Sequence, residues 1–74
     1  MAHVNAKSEV TGTVWKVLNQ AGESFEDGVV LMIIESMKME IPVTAKGAGT
    51  VISVLVAEGA SVSDGDTVMV LDLA

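Results

Sequence analysis

Gly12-Thr13-Val14-Trp15-Lys16-Val17-Leu18 returns 37 residues later as Gly49-Thr50-Val51-Ile52-Ser53-Val54-Leu55. The alignment continues without a gap. Gly22 falls on Gly59, Ser24 on Ser61, Asp27-Gly28 on Asp64-Gly65, Met32 on Met69, and Glu35 on Asp72. Two Val-rich segments align by chance at scattered valines, but chance does not also bring glycines and turn aspartates into register. Residues 12–35 and 49–72 therefore read as an internal duplication within one domain, 1–74. Each copy alternates short apolar stretches with turn chemistry. Ala21-Gly22-Glu23 and Asp27-Gly28 punctuate the first, and Glu58-Gly59-Ala60 and Asp64-Gly65-Asp66 the second. Gly supplies positive φ, and Asp bonds its own backbone two residues on. No window sustains a 3.6-residue apolar period over a helix length. The pattern predicts strands at 4–10, 12–19, 24–25, 30–36, 39–45, 49–56, 61–62 and 67–73. Two four-strand units, each with an uncovered apolar face, are expected to bury those faces against each other. The outcome is an all-β flattened barrel or sandwich with approximate two-fold symmetry.

Composition narrows the function classes. The chain has 74 residues, too few for a large core, and no cysteine, so disulfides, thiolate metal sites and cysteine nucleophiles are excluded. Half of its residues are apolar but only 3% aromatic, which calls for an aliphatic core of β-branched residues. A formal charge of -6 repels phosphate backbones and gives no attraction to anionic lipid, so neither nucleic acid nor membrane is an expected partner. The longest apolar run, Val29 to Ile34, is too short to span a bilayer. The N-terminal Met1-Ala2-His3-Val4-Asn5 lacks the pattern of a signal peptide, and a cytoplasmic location is expected.

Between the copies lies Ser36-Met37-Lys38-Met39-Glu40-Ile41-Pro42, which has no partner in the second half. Its chemistry is wrong for a plain hairpin, because two-residue turns favour Asn-Gly or Asp-Gly and none of these residue types occurs from Met32 to Lys46. A local rule that fails in an otherwise consistent sequence marks a functional site. Lysine is an amine that can be acylated into a long tether, and methionine suits a surface that another protein grips. Two of the five methionines flank Lys38; Lys7, Lys16 and Lys46 have no such setting. In a continuing strand Met37 and Met39 would instead share a face and pack inward. The position of the segment at the seam of the duplication favours the exposed site.

Glu35-Ser36-Met37-Lys38-Met39 resembles the Glu-Ala-Met-Lys-Met signature of biotinyl domains, members of the biotin/lipoyl attachment family. The resemblance runs from about Val10 to Leu73 and takes in both Gly-Thr-Val openings, Gly22, Gly28, Gly59 and the Asp64-Gly65-Asp66 turn. Ser36 stands where Ala is commoner, Val10-Thr11 where a Pro often precedes Gly-Thr-Val, and Val29 where Asp or Gln is frequent. No additional thumb segment lies between Leu18 and Ser24, nor is there a Pro/Ala-rich linker. The resemblance implies a flattened eight-stranded antiparallel barrel with Lys38 at the apex of a tight hairpin, opposite the termini. It implies biotin as the cofactor, attached to Lys38 by biotin protein ligase through the biotin adenylate, with Met37, Met39, Glu35 and Glu40 recognised by the ligase. The carrier, itself no enzyme, would take carboxybiotin between the biotin carboxylase and carboxyltransferase sites of a biotin-dependent carboxylase. Monomer is the expected state of a domain that visits several active sites, whether free-standing or part of a larger chain. A lipoyl carrier for oxoacid dehydrogenase chemistry is the alternative, and the flanking methionines count against it.

Other motifs read as structure. Asp64-Gly65-Asp66 lacks the oxygen ligands and distal Glu of a calcium loop and is a turn, so no metal site is expected. Lys46-Gly47-Ala48-Gly49-Thr50 lacks the Gly-Lys-Ser/Thr order of a phosphate loop and reads as a strand connection. His3, the single histidine, is expected in a frayed N-terminus, so no histidine-based triad or zinc site can form. Trp15, aligned with Ile52, is expected in the core, and Pro42 at a sheet edge.

Overall fold

The computed structural model describes residues 2–74, which form eight strands and no helix. In chain order these are β1 (Ala2–Lys7), β2 (Gly12–Val17), β3 (Ser24–Phe25), β4 (Val30–Ser36), β5 (Met39–Thr44), β6 (Gly49–Val54), β7 (Ser61–Val62) and β8 (Thr67–Leu73). They make two antiparallel four-stranded sheets, ordered β1-β8-β6-β3 and β5-β4-β2-β7. The sheets face each other as a flattened barrel-sandwich. Among the described residues no helix is long and apolar enough to cross a membrane.

The halves interleave where stacking of separate four-strand units was expected. β3 pairs with β6, and β7 pairs with β2, so each half lends its short strand to the other half's sheet. A shift of 37 residues carries one sheet onto the other, and under that shift β1 falls on β5. This corrects the reading that Ser36–Pro42 stands outside the repeat. Met39–Thr44 has its structural counterpart in Ala2–Lys7, since β5 edges β4 as β1 edges β8. The two stretches share no residue at aligned positions, so identity could not reveal the match.

The core is aliphatic and comes in equivalent pairs: Val14 with Val51, Leu31 with Val68, Met32 with Met69, Ile34 with Leu71, and Phe25 with Val62. The pair Ser8 and Ala45 is also buried. The Ser8 N–H donates to the Asp66 carbonyl at 2.8 Å, and the Ala45 N–H donates to the Val29 carbonyl at the same distance. The Ser8 hydroxyl, out of water, donates to the Val10 carbonyl at 2.5 Å, so its burial leaves no unpaired donor.

Several strand ends fall short of expectation. β1 begins at Ala2 and ends at Lys7, because the chain turns at buried Ser8 rather than running to Val10. His3 is therefore not in a frayed end; it sits in β1 opposite Asp72. Trp15 is not in the core but 45% exposed, like Ile52 at 41%. Pairing jumps from Val14 to Lys16 on β4, and Trp15 is the extra residue of that bulge. Val14 faces inward, so alternation alone turns Trp15 out, and the bulge lets Lys16 face outward beside it. The Lys16 ammonium lies 5.7 Å from the Trp15 ring centroid. Pro42 lies on β5, an edge strand, where its missing N–H breaks no ladder.

Gly12 and Gly49 hold the strands at close range. A Cβ on Gly12 would collide with the Glu35 carbonyl, and one on Gly49 with the Asp72 carbonyl, both of them backbone atoms. Neither neighbour can give way without moving a central strand. Gly12→Ala and Gly49→Ala are each expected to destabilise the fold by about 2–3 kcal/mol, read as a lowered urea midpoint at unchanged slope.

Candidate functional site

β4 and β5 are joined by two residues, Met37 and Lys38, and Ser36 pairs with Met39 across the turn. Both connecting residues have positive φ, 51° for Met37 and 65° for Lys38. This is the backbone of a type I′ turn, the form whose twist matches a two-residue hairpin. Every other residue with positive φ among those described is a glycine. Left-handed backbone costs an L-residue roughly 1–2 kcal/mol, so the hairpin holds two residues against their local preference. The register of β4 and β5 imposes this, with Ile34 opposite Ile41 and Glu35 opposite Glu40 below the turn.

The result is a protrusion rather than a pocket. Met37 is 93% exposed and Met39 63%, and Lys38, Glu35 and Glu40 are exposed as well. All five residues singled out in the sequence are thus brought together at one tip. Two carboxylates, Glu35 and Glu40, face outward on directly opposed positions, a mildly unfavourable like-charge pair. A cavity of about 380 Å³ runs between the edge strands β1 and β5, lined by Val4, Ile34, Ile41, Val43, Leu71 and Leu73, and none of the five tip residues lines it.

Thr11 is a contributor that sequence reasoning missed. The Ser36 hydroxyl donates to the Thr11 carbonyl at 2.9 Å, and the Thr11 hydroxyl accepts from the Asp64 N–H at 3.1 Å. With Gly12 against Glu35, this ties the base of the hairpin to the linker before β2 and to the β7–β8 turn. The available signal was a departure from the repeat: Thr11 aligns with Ala48 and Ser36 with Leu73. Ser36 therefore supplies a hydrogen bond that the commoner Ala at this position lacks.

The tip stands at the far end of the sheet from the C-terminus. At the start of β4 the Asp27 carboxylate accepts from the Gly47 N–H, and the adjoining Ala48 carbonyl accepts from the Ala74 N–H. β4 is seven residues long, so at roughly 3.3 Å per residue the tip lies about 20 Å away. Among the described residues no group of three His, Cys, Asp or Glu side chains is arranged to hold a metal. Asp66 instead accepts from the Ser63 N–H at 2.8 Å, closing a turn. An exposed primary amine on a rigid two-residue turn fits acylation by an enzyme that approaches from outside.

The chain is similar to known proteins over most of its length. The profile of a family described as "Biotin-requiring enzyme" matches residues 4–71. A biotin/lipoyl attachment protein of Bacillus subtilis is 43% identical over 63 residues, covering 85% of this chain and 86% of that protein. A biotin carboxyl carrier protein of Streptococcus mutans is 40% identical over 60 residues, covering 81% of this chain and 46% of that protein. The urea carboxylase of Kluyveromyces lactis contains a region that superposes with a TM-score of 0.90 at 36% identity. That match covers 97% of this chain and 6% of the carboxylase chain.

If the left-handed backbone at the tip is held at a cost, Lys38→Gly should raise stability by about 1 kcal/mol while deleting the amine. Thermal unfolding of the two proteins measures it, and an unchanged or lowered midpoint contradicts the strain.

Proposed function

This chain belongs to the biotin/lipoyl attachment family, and from that premise we propose that Lys38 is the residue to which biotin is covalently attached. The observation that carries the reading is the placement of one exposed lysine, between two exposed methionines, on the turn that departs from the glycine rule. Family members are the carrier domains of biotin-dependent carboxylases and are not themselves catalytic. The carrier works with a biotin carboxylase and a carboxyltransferase, and a biotin protein ligase loads it. Lys38 would hold biotin through an amide at Nζ, whose nitrogen keeps one hydrogen of the ammonium and gives up two protons. The ammonium charge is lost, so the formal charge of -6 becomes one unit more negative. When bound, biotin supplies a ureido nitrogen that accepts and releases a carboxyl group.

The chain's own contribution is positional. The β4–β5 ladder and the Ser36–Thr11 bond fix the turn, and the four-carbon lysine stem provides the swing. Tethering raises the local concentration of the group at each active site it visits. Met37 and Met39 give the ligase an apolar grip beside the amine, and Glu35 and Glu40 orient the tip against it. Acting as a monomer in the cytoplasm with its ligase suits a domain whose tip must enter several enzymes.

Intact-mass measurement of protein co-expressed with a biotin protein ligase tests this. A biotinyl increment is expected in the native sequence and none in Lys38→Arg; a lipoyl increment would assign the other carrier class. Replacing Met37 or Met39 by Ala should lower kcat/KM for biotinylation by about tenfold, the scale of losing one apolar side-chain contact. Biotinylation at the native rate in both variants contradicts the grip.

A further inference from the structure

The four methionines among the described residues divide by burial. Met32 and Met69 are 0% exposed and sit in the core, whereas Met37 and Met39 stand out at 93% and 63% on either side of Lys38. Thioether oxidation follows exposure, and it converts an apolar side chain into a polar, chiral one. We propose that Met37 and Met39 form an oxidation site at which a hydroperoxide switches the carrier out of use, by making the tip a poor substrate for its ligase. The inference rests on the biotin-carrier reading above and adds a control to it.

The step balances without any group the protein lacks. The Met sulfur attacks one oxygen of hydrogen peroxide, an S–O bond forms, the O–O bond breaks, and water leaves. Each sulfur gives up two electrons and the peroxide takes them. Several features make the tip the place where this matters. The turn is held in a left-handed backbone by the ladder beneath it, so it cannot refold to hide its side chains. The surrounding charges are the Glu35 and Glu40 carboxylates, and peroxide is neutral, so the acidic tip does not repel it. An enzyme gripping Met37 and Met39 through apolar contacts must then bury two sulfoxide oxygens, and an unsatisfied buried acceptor is expensive. The core cannot take up the oxidant instead, because Met32 and Met69 have no exposed surface. The change is reversible in principle, since enzymes exist for each sulfoxide epimer.

The test uses the full chain before biotinylation. Graded hydrogen peroxide is followed by peptide mapping, with far-UV circular dichroism to confirm that the fold is kept. Met37 and Met39 should become sulfoxides while Met32 and Met69 stay reduced. The doubly oxidised protein should then be biotinylated with a kcat/KM about tenfold lower than the untreated protein, the scale of burying an unsatisfied acceptor. Treatment with methionine sulfoxide reductases of both epimer classes should restore the rate. A Met37→Leu/Met39→Leu protein, whatever its own rate, should show no change on the same peroxide treatment. Oxidation of Met32 and Met69 as fast as the tip overturns the proposal. So does an unchanged rate in the oxidised protein, or an equal loss in the Leu protein. Absence of biotinylation in the untreated protein would instead sink the carrier reading itself, so the two failures are distinguishable.

Discussion

Neither half of this chain completes a sheet, because the two-residue strand that closes each sheet comes from the other half. β7 lies along β2, and β3 along β6, each held by a few backbone bonds. The Val14 N–H reaches the Ala60 carbonyl and the Val51 N–H reaches the Glu23 carbonyl, at 2.8 and 2.9 Å. These crossings make the fold one cooperative unit. A half that opened would expose both its own apolar face and an edge of its neighbour's sheet. For a chain of 74 residues without disulfides, that mutual dependence takes the place of a large core. The intolerance of Gly12 and Gly49 to any side chain arises within each half, where the strand presses against the carbonyl of its central neighbour.

The β4–β5 tip depends on the same frame. A two-residue connection between strands in the register of Ile34 with Ile41 favours the primed turns, and the type I′ form adopted here puts Met37 and Lys38 in the left-handed region. An Asn-Gly pair would relieve the strain but would carry neither amine nor thioether. The sequence keeps the costly residues and anchors them from below, with Gly12 against Glu35 and Ser36 bonded to Thr11. Strain of this kind persists only where the surroundings over-determine it.

Much of this was legible beforehand, for a physical reason. Glycines and aspartates at turns have no substitutes with the same backbone freedom, so the duplication survives in Gly12, Gly22, Gly28 and their partners, and it locates the six strands of the two copies closely. Lys38 stands out because the stretch from Met32 to Lys46 lacks the Gly, Asn or Asp that a tight hairpin favours. What escaped notice has equally concrete causes. The equivalence of Ala2–Lys7 and Met39–Thr44 rests on pairing and burial, which several residue types satisfy, so no identity remains to betray it. The apolar match of Trp15 with Ile52 suggests a core position, but both are exposed, because hydrophobicity at a repeat position does not say which face of the strand it occupies. Thr11 was missed because its role is a bond across 53 residues of sequence to Asp64, which no local pattern encodes.

With β1 matched to β5, the part of the tip lacking a structural counterpart shrinks to the turn itself. The ladder beneath that turn, with Ser36 opposite Met39 and Glu35 opposite Glu40, holds Met37 and Lys38 in the left-handed region. Rigidity in the turn and freedom in the four-carbon stem are therefore separated within a single residue: the backbone of Lys38 is fixed by the fold, and only its side chain travels.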